Sequence, residues 1–223
     1  RPKGAFSMRG HSVGGYGSVT TNKVIATIIG DLFGLRVQAY PMYGSEKKGL
    51  PTTYFLTVAE EPIRAHAELQ HVDFVPLNNV NAFNLGNPLN GLIRGGTVFV
   101  QHHSRNPQQV WAAIPANARE FIQRQQIRVF ALDAVKVAQE VTSHAQLSQR
   151  MQGIVLLGVF LKVAPFVGAR GLGDGALYAA IERSLHKFFG KRGDKVVQEN
   201  LAAVKRGRSE VFEIPREVMV AAA

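Results

Sequence analysis

The stretch Ser12-Val13-Gly14-Gly15-Tyr16-Gly17-Ser18 constrains the fold more than any other part of the chain. It follows a short apolar segment at 6–8 and precedes a helical pattern that runs to about Gly34. Glycines let a backbone turn tightly and bring successive N–H groups together, and the next helix directs its positive end to the same place. The pattern predicts a strand, a loop and a helix. The loop either holds a phosphate or is a tight turn whose glycines only allow close packing.

The rest of the chain alternates between strand and helix patterns. Strands are predicted at 35–40, 52–59, 72–77, 97–100 and 128–133, and helices at 108–113, after Pro115, from Ala134, and at 147–164, 176–189 and 194–207. Such alternation indicates one α/β domain with a mostly parallel sheet flanked by helices, in a Rossmann-like arrangement. We expect the domain to span 1–209 and a C-terminal tail or linker to occupy 210–223. The strand ends, and with them the glycine loop, should meet at one rim of the sheet.

Some local features are predicted as well. Pro41 should close the second strand, 91–96 should form a turn, and Asp194 should cap the last helix. Residues 147–164 are apolar on nearly all sides, which predicts a helix buried in the core or under a partner.

Composition limits the possible functions. The chain has no cysteine, which excludes disulfides, cysteine-ligated iron–sulfur clusters and a thiol nucleophile within it, and suits a cytoplasmic location. Its most apolar run, 154–167, contains Lys162 and Pro165 and is too short to span a bilayer, so no membrane span is expected. The formal net charge of +10 is compatible with nucleic acid, an anionic cofactor or an acidic protein partner.

A second informative segment is the polar loop Tyr43-Gly44-Ser45-Glu46-Lys47-Lys48-Gly49, which lies between Pro41 and Pro51. Lys47 and Lys48 could meet a phosphate or an acidic neighbour while Glu46 holds one of them. The alternative is an exposed loop with a salt bridge.

Other candidate sites have weaker support. His102 and His103 are adjacent, and neighbours on a strand point to opposite faces, so no metal site is expected. Gly173-Asp174-Gly175 with Asn200 is similar to parts of a thiamine diphosphate signature. It lacks the preceding strand and the paired asparagines, and is interpreted as a loop and an ordinary helical position. No catalytic residue is assigned.

With these residues set out, the chain resembles the gamma component of 2-oxoacid:ferredoxin oxidoreductases over roughly residues 6–207. The resemblance rests on paired motifs in order, 12–17 and then 40–49, together with Asn78, the turn at 91–96 and Arg150-Met151-Gln152-Gly153. The chain differs from many members at Ser12, Tyr16, Lys48 and Leu50.

The resemblance implies a role within a larger enzyme. That enzyme oxidatively decarboxylates a 2-oxoacid such as pyruvate to an acyl-coenzyme A and reduces ferredoxin or flavodoxin, or runs the reverse carboxylation. Thiamine diphosphate and [4Fe-4S] clusters would belong to alpha, beta and ferredoxin-like subunits or domains. This chain would contribute assembly and the coenzyme A side of the site. The implied coenzyme A residues are Gly14, Gly15, Tyr16, Gly17, Ser18, Tyr43, Gly44, Glu46, Lys47, Lys48 and Asn78.

Two other classes remain as alternatives. A stand-alone dinucleotide oxidoreductase needs a full glycine fingerprint and an acidic residue after the second strand, but Ser12 breaks the first and 39–41 lacks the second. A basic nucleic-acid- or nucleotide-binding module is motivated by charge alone. No recognition motif accompanies the basic residues near the C-terminus, so a solvated helical face explains most of them and no nucleic acid is expected. The basic residues concerned are Lys187, Lys191, Arg192, Lys195, Lys205, Arg206 and Arg208.

Overall fold

The computed structural model describes residues 4–13, 18–43, 51–64, 69–78, 80–169 and 171–220. Its strands are β1 (Phe6–Val13), β2 (Arg36–Tyr43), β3 (Pro51–Ala59), β4 (Val72–Leu77), β5 (Leu92–Gln101), β6 (Arg128–Leu132) and β7 (Phe212–Glu213). Its helices are α1 (Ser18–Phe33), α2 (Pro107–Ala113), α3 (Ala116–Arg124), α4 (Ala134–Val141), α5 (Ser148–Val163), α6 (Pro165–Ala169), α7 (Asp174–Phe189), α8 (Asp194–Glu210) and α9 (Arg216–Val220).

The strands form one sheet in the order β2-β3-β1-β4-β5-β6-β7. The neighbours β1, β4, β5 and β6 pair in parallel, while β3 and β7 run antiparallel to the strands beside them. Five of the seven described strands therefore share one direction. The predicted α/β fold with a mostly parallel sheet is confirmed, with a reversed strand near each edge.

Each face of the sheet carries its own core. Strand residues alternate between the faces, so Val98 and Val100 join one apolar cluster while Phe99 joins the other. The larger cluster includes α1, α4, α5, α7 and α8, and the smaller one includes α2, α3 and α9. The near-continuous burial of β4 and β6 is typical of parallel strands covered on both faces.

Helix α5 is buried by this chain itself. It packs against α8 so closely that a Cβ added at Gly158 would lie 2.2 Å from the carbonyl oxygen of Val204, and one at Gly207 the same distance from that of Val155. At its other end, a Cβ at Gly153 would lie 1.9 Å from the hydroxyl of Thr21 in α1. The expectation of a buried helix is confirmed. Its apolar character gives no evidence for a covering partner.

Several boundaries differ from the expectations. β2 continues through Pro41 to Tyr43. Among the described strands β2 pairs with β3 alone, and such an edge strand tolerates proline because the missing N–H can face the unpaired side. Most of the turn expected at 91–96 is the first half of β5. Gly193, with φ of 98°, occupies the cap position of α8, and Asp194 is the first helical residue.

The segment after residue 209 is part of the folded domain. β7 pairs with β6, and Ile214 and Met219 are buried in the smaller cluster. The structure therefore has no tail or linker between 210 and 220.

Candidate functional site

Strands β1, β3 and β4 bring three sequence signals to one edge of the sheet. β1 ends at Val13 and α1 begins at Ser18, so the predicted glycine loop joins these two points. Val13 pairs with Pro51, the proline on the C-terminal side of the predicted polar loop. Leu77 at the end of β4 pairs with His11 of β1. The two loops and Asn78 are thus attached to neighbouring strand ends at the same rim.

The structure locates three of the proposed coenzyme A residues. Ser18 is the first residue of α1, Tyr43 is the last residue of β2, and Asn78 follows β4. Gly14, Gly15, Tyr16, Gly17, Gly44, Glu46, Lys47 and Lys48 lie outside the described residues.

Asn78 is held by two hydrogen bonds. Its backbone N–H donates to the carbonyl oxygen of His11 at 3.1 Å, and its side-chain amide donates to the hydroxyl of Tyr54 at 3.3 Å. Tyr54 is fully buried, and burial raises the pKa of its hydroxyl, with the Asn78 bond opposing that shift. The hydroxyl therefore stays protonated and fixes the orientation of Asn78.

Gly10 makes this arrangement possible. It pairs with Tyr54 across β1 and β3, and a Cβ at Gly10 would lie 1.9 Å from Cζ of the tyrosine ring. Sequence reasoning missed both residues. The available signal was a glycine inside a strand pattern, which often marks a position where another group approaches the backbone closely.

His11 lies on the opposite face of β1 from Gly10. Its Nε2 atom is buried and has no hydrogen-bond partner among the described residues, and its ring forms a hydrogen bond with the carbonyl oxygen of Pro88. Burial, together with the positive charge of Arg9, lowers the pKa of His11 to about 4 despite the Pro88 bond. At neutral pH the imidazole is therefore uncharged.

At the ends of β5 and β6, two polar side chains form hydrogen bonds at the N-terminus of α4. Gln101 accepts a hydrogen bond from the N–H of Ala134 at 2.7 Å and donates to Asp133 at 2.9 Å. Asp133 also accepts from the N–H of Lys136 at 3.1 Å. These contacts satisfy the free N–H groups of a helix terminus, so they have a structural explanation.

His102 and His103 lie just beyond β5, and their rings stack with centroids 4.6 Å apart. The expectation that they point to opposite faces is wrong because the strand ends at Gln101. Burial and the neighbouring His103 lower the pKa of His102. Within the described residues, no group of three or more His, Cys, Asp or Glu side chains is placed to hold a metal ion.

Some of the basic residues near the C-terminus form ion pairs. Arg206 pairs with Glu140 at 2.8 Å and Glu210 at 2.5 Å, and Arg208 pairs with Asp174 at 2.8 Å. Lys187 pairs with Asp31 at 2.7 Å. These pairs use part of the positive charge for contacts within the fold. They also place Asp174 in a structural role.

The chain matches the family described as "Pyruvate ferredoxin/flavodoxin oxidoreductase" over residues 7–210. It belongs to this family. It is 29% identical over 213 residues to the pyruvate:ferredoxin oxidoreductase of Moorella thermoacetica, covering 96% of this chain and 17% of that protein. It is 27% identical to the pyruvate-flavodoxin oxidoreductase of Trichormus variabilis, covering 92% and 16%. The chain thus spans about one sixth of the length of these curated relatives.

Solved structures share the fold. The pyruvate oxidoreductase subunit PORC of Thermotoga maritima superposes with a TM-score of 0.67 at 20% identity, covering 95% of this chain and 99% of that one. A keto/oxoacid ferredoxin oxidoreductase gamma subunit from Geobacter sulfurreducens gives 0.59 at 14% identity, with 98% of each covered. The 2-oxoglutarate:ferredoxin oxidoreductase of Magnetococcus marinus, solved with coenzyme A bound, gives 0.62 at 17% identity, covering 97% of this chain and 31% of that one. Among these proteins the fold occurs both as a separate chain and as part of a longer one. No helix within the described residues has the length and hydropathy needed to cross a membrane.

Proposed function

We propose that this chain is the gamma component of a 2-oxoacid:ferredoxin oxidoreductase and that it supplies assembly contacts and the coenzyme A side of the active site. The observation that carries the proposal is the convergence of the two loop attachment points and Asn78 at one rim of the sheet. In doubly wound folds, ligands bind outside the carboxyl ends of the parallel strands.

The residue types in the two loops suit coenzyme A, the acyl acceptor, which carries several phosphates. Glycine backbone N–H groups and the first turn of α1 favour an anion, and Lys47 and Lys48 add positive charge without demanding one phosphate geometry. Asn78, fixed by Tyr54, provides a polar group of defined orientation at the same rim. In this proposal these residues bind and orient coenzyme A and do not transfer electrons.

The cofactors that perform the oxidation belong to the rest of the enzyme in this proposal. When bound there, thiamine diphosphate would supply the activation of the 2-oxoacid, and [4Fe-4S] clusters would supply electron transfer to ferredoxin or flavodoxin. A chain without cysteine has no thiolates to offer such clusters. We therefore assign both groups to alpha, beta and ferredoxin-like subunits or domains, in a cytoplasmic assembly.

Reversing the charge of Lys47 and Lys48 together (Lys47→Glu, Lys48→Glu) tests the coenzyme A role. We expect the KM for coenzyme A to rise about tenfold or more, because two charge-assisted phosphate contacts become repulsive. Thiamine diphosphate and iron contents of the purified enzyme should not change. The matched control is Lys162→Glu with Lys195→Glu, which makes the same change in net charge at exposed positions. An unaltered KM for coenzyme A, or an equal effect in the control, contradicts the assignment.

Native mass spectrometry of the enzyme from its source tests the assembly role. We expect a complex with cysteine-containing partners or covalently linked domains, together with thiamine diphosphate and iron. A colourless monomer or homodimer without these cofactors would refute the gamma-component proposal.

A further inference from the structure

A pocket of about 120 Å³ opens between the first turns of α1 and α5 and the N-terminal half of α8. Its polar lining consists of Thr21, Arg150, Arg192, Glu199 and Asn200. A cavity of this volume is well above what one water molecule needs, so the pocket has room for a small molecule. Asn78, the one residue assigned above to coenzyme A whose side chain the structure describes, does not line it.

The charges around the pocket favour an anion. Arg150 and Arg192 are both exposed, and within the described part of the chain neither forms an ion pair with a carboxylate. The single carboxylate of the lining, Glu199, accepts a hydrogen bond from the backbone N–H of Ser143 at 3.2 Å. Two guanidinium groups against one carboxylate leave a net positive charge.

The deeper wall is apolar. Met151 and Ile154 of α5 are buried core residues, and Val196 and Phe189 complete this side of the pocket. Buried Thr21 and Asn200 add a hydroxyl and an amide beside it. A pocket that combines an apolar wall with a few convergent polar groups is the usual form of a small-molecule site.

We propose that this pocket binds a small organic anion, a carboxylate or phosphate monoester with a short apolar body, while coenzyme A is also bound. The anionic group contacts Arg150 and Arg192, and the apolar body lies against Met151, Ile154 and Val196. A planar guanidinium donates two parallel hydrogen bonds to either kind of anion, so both fit the same rim.

Calorimetric titration of the complete enzyme with n-butyl phosphate, in the presence of saturating coenzyme A, tests the site. We expect saturable binding that is tighter than the binding of inorganic phosphate, because only the ester reaches the apolar wall. Arg150→Gln and Arg192→Gln should each weaken binding about tenfold. Glu199→Gln should tighten it, because the change removes the repulsive charge and keeps an acceptor for Ser143. Val196→Phe should abolish binding by filling the pocket without changing its charge.

The control variant is Lys162→Gln, which removes one exposed positive charge at the far end of α5 and should leave binding unchanged. The proposal is overturned if n-butyl phosphate does not bind, if saturating coenzyme A prevents binding, or if Glu199→Gln weakens binding as the arginine variants do. Binding of n-butyl phosphate combined with an unaltered coenzyme A KM in the Lys47 and Lys48 variant would refute the proposed function alone.

Discussion

Replacing Gly10 with alanine is expected to displace Tyr54 and release Asn78. The new Cβ would lie 1.9 Å from Cζ and 2.3 Å from the hydroxyl oxygen of Tyr54, whereas unbonded carbons approach to about 3.5–4.0 Å. The ring must therefore move by about 1.5 Å within a core where it is only 1% exposed. Overpacking of this kind costs about 1–3 kcal/mol, and the lost bond to Asn78 adds about 0.5–1.5 kcal/mol. We expect Gly10→Ala to lower the free energy of unfolding by about 2–4 kcal/mol.

A double-mutant cycle with Tyr54→Val isolates this contact. Without the ring, Gly10→Ala should cost nothing or stabilise by up to about 1 kcal/mol, because alanine loses less backbone entropy in a strand. The coupling energy should therefore be about 2 kcal/mol or more, measured by chemical denaturation of all four variants. Gly30→Ala is the matched control. Gly30 lies inside α1, where an alanine Cβ would meet the Leu35 carbonyl oxygen and the Val37 side chain at an ordinary contact distance of 3.9 Å, and the change should stabilise the chain slightly. Equal costs of Gly10→Ala in both backgrounds would refute the steric explanation.

Two further perturbations test other parts of the fold. Gly158→Ala should destabilise the chain by about 1–3 kcal/mol or prevent folding, because the added Cβ meets the Val204 carbonyl where α5 packs against α8. A variant that melts at the wild-type temperature would contradict this close packing. The pKa of His11 in the folded chain is about 4, below the ordinary histidine value of about 6.5. The unfolded chain therefore binds more protons between these two values, and the free energy of unfolding rises with pH across that window. Acidification from pH 6.5 to 4 should therefore lower the free energy of unfolding by up to about 3 kcal/mol through this group. His11→Gln should flatten the pH dependence of the free energy of unfolding, whereas His144→Gln, at an exposed position, should not. An unchanged pH dependence in His11→Gln would show that His11 is not responsible.

Element order could be predicted from the sequence because it depends on local patterns. The apolar stripe of α1 ends at Gly34, whose φ of 61° is the left-handed conformation expected at a helix C-terminus. The helix predicted at 108–113 is α2, which begins at Pro107, and the Asn106 side chain before it accepts from two backbone N–H groups. These features require only neighbours in sequence.

Features that depend on long-range packing could not be predicted. Pro41 stays within β2 because β2 is an edge strand, and no local pattern states which strands lie at an edge. Helix α5, which is apolar on nearly all sides, is covered by α8 of the same chain, whereas its sequence favours a subunit interface equally well. The pairing of β7 with β6, which includes residues beyond 209 in the domain, joins segments about 80 positions apart.

Some parts of the candidate site could be predicted from local sequence patterns, and others depend on long-range packing. The glycine loop and the 43–49 loop are recognisable because their residue types carry the chemistry, and the pairing of Val13 with Pro51 then attaches both to one rim. Gly10 and Tyr54 carry no such chemistry, and their importance appears only once β1 and β3 are paired. Because Tyr54 holds Asn78, a substitution at Gly10 should alter the proposed coenzyme A rim from inside the sheet. A coenzyme A KM that rises in Gly10→Ala at a temperature where the enzyme remains folded would separate this positioning role from simple loss of stability.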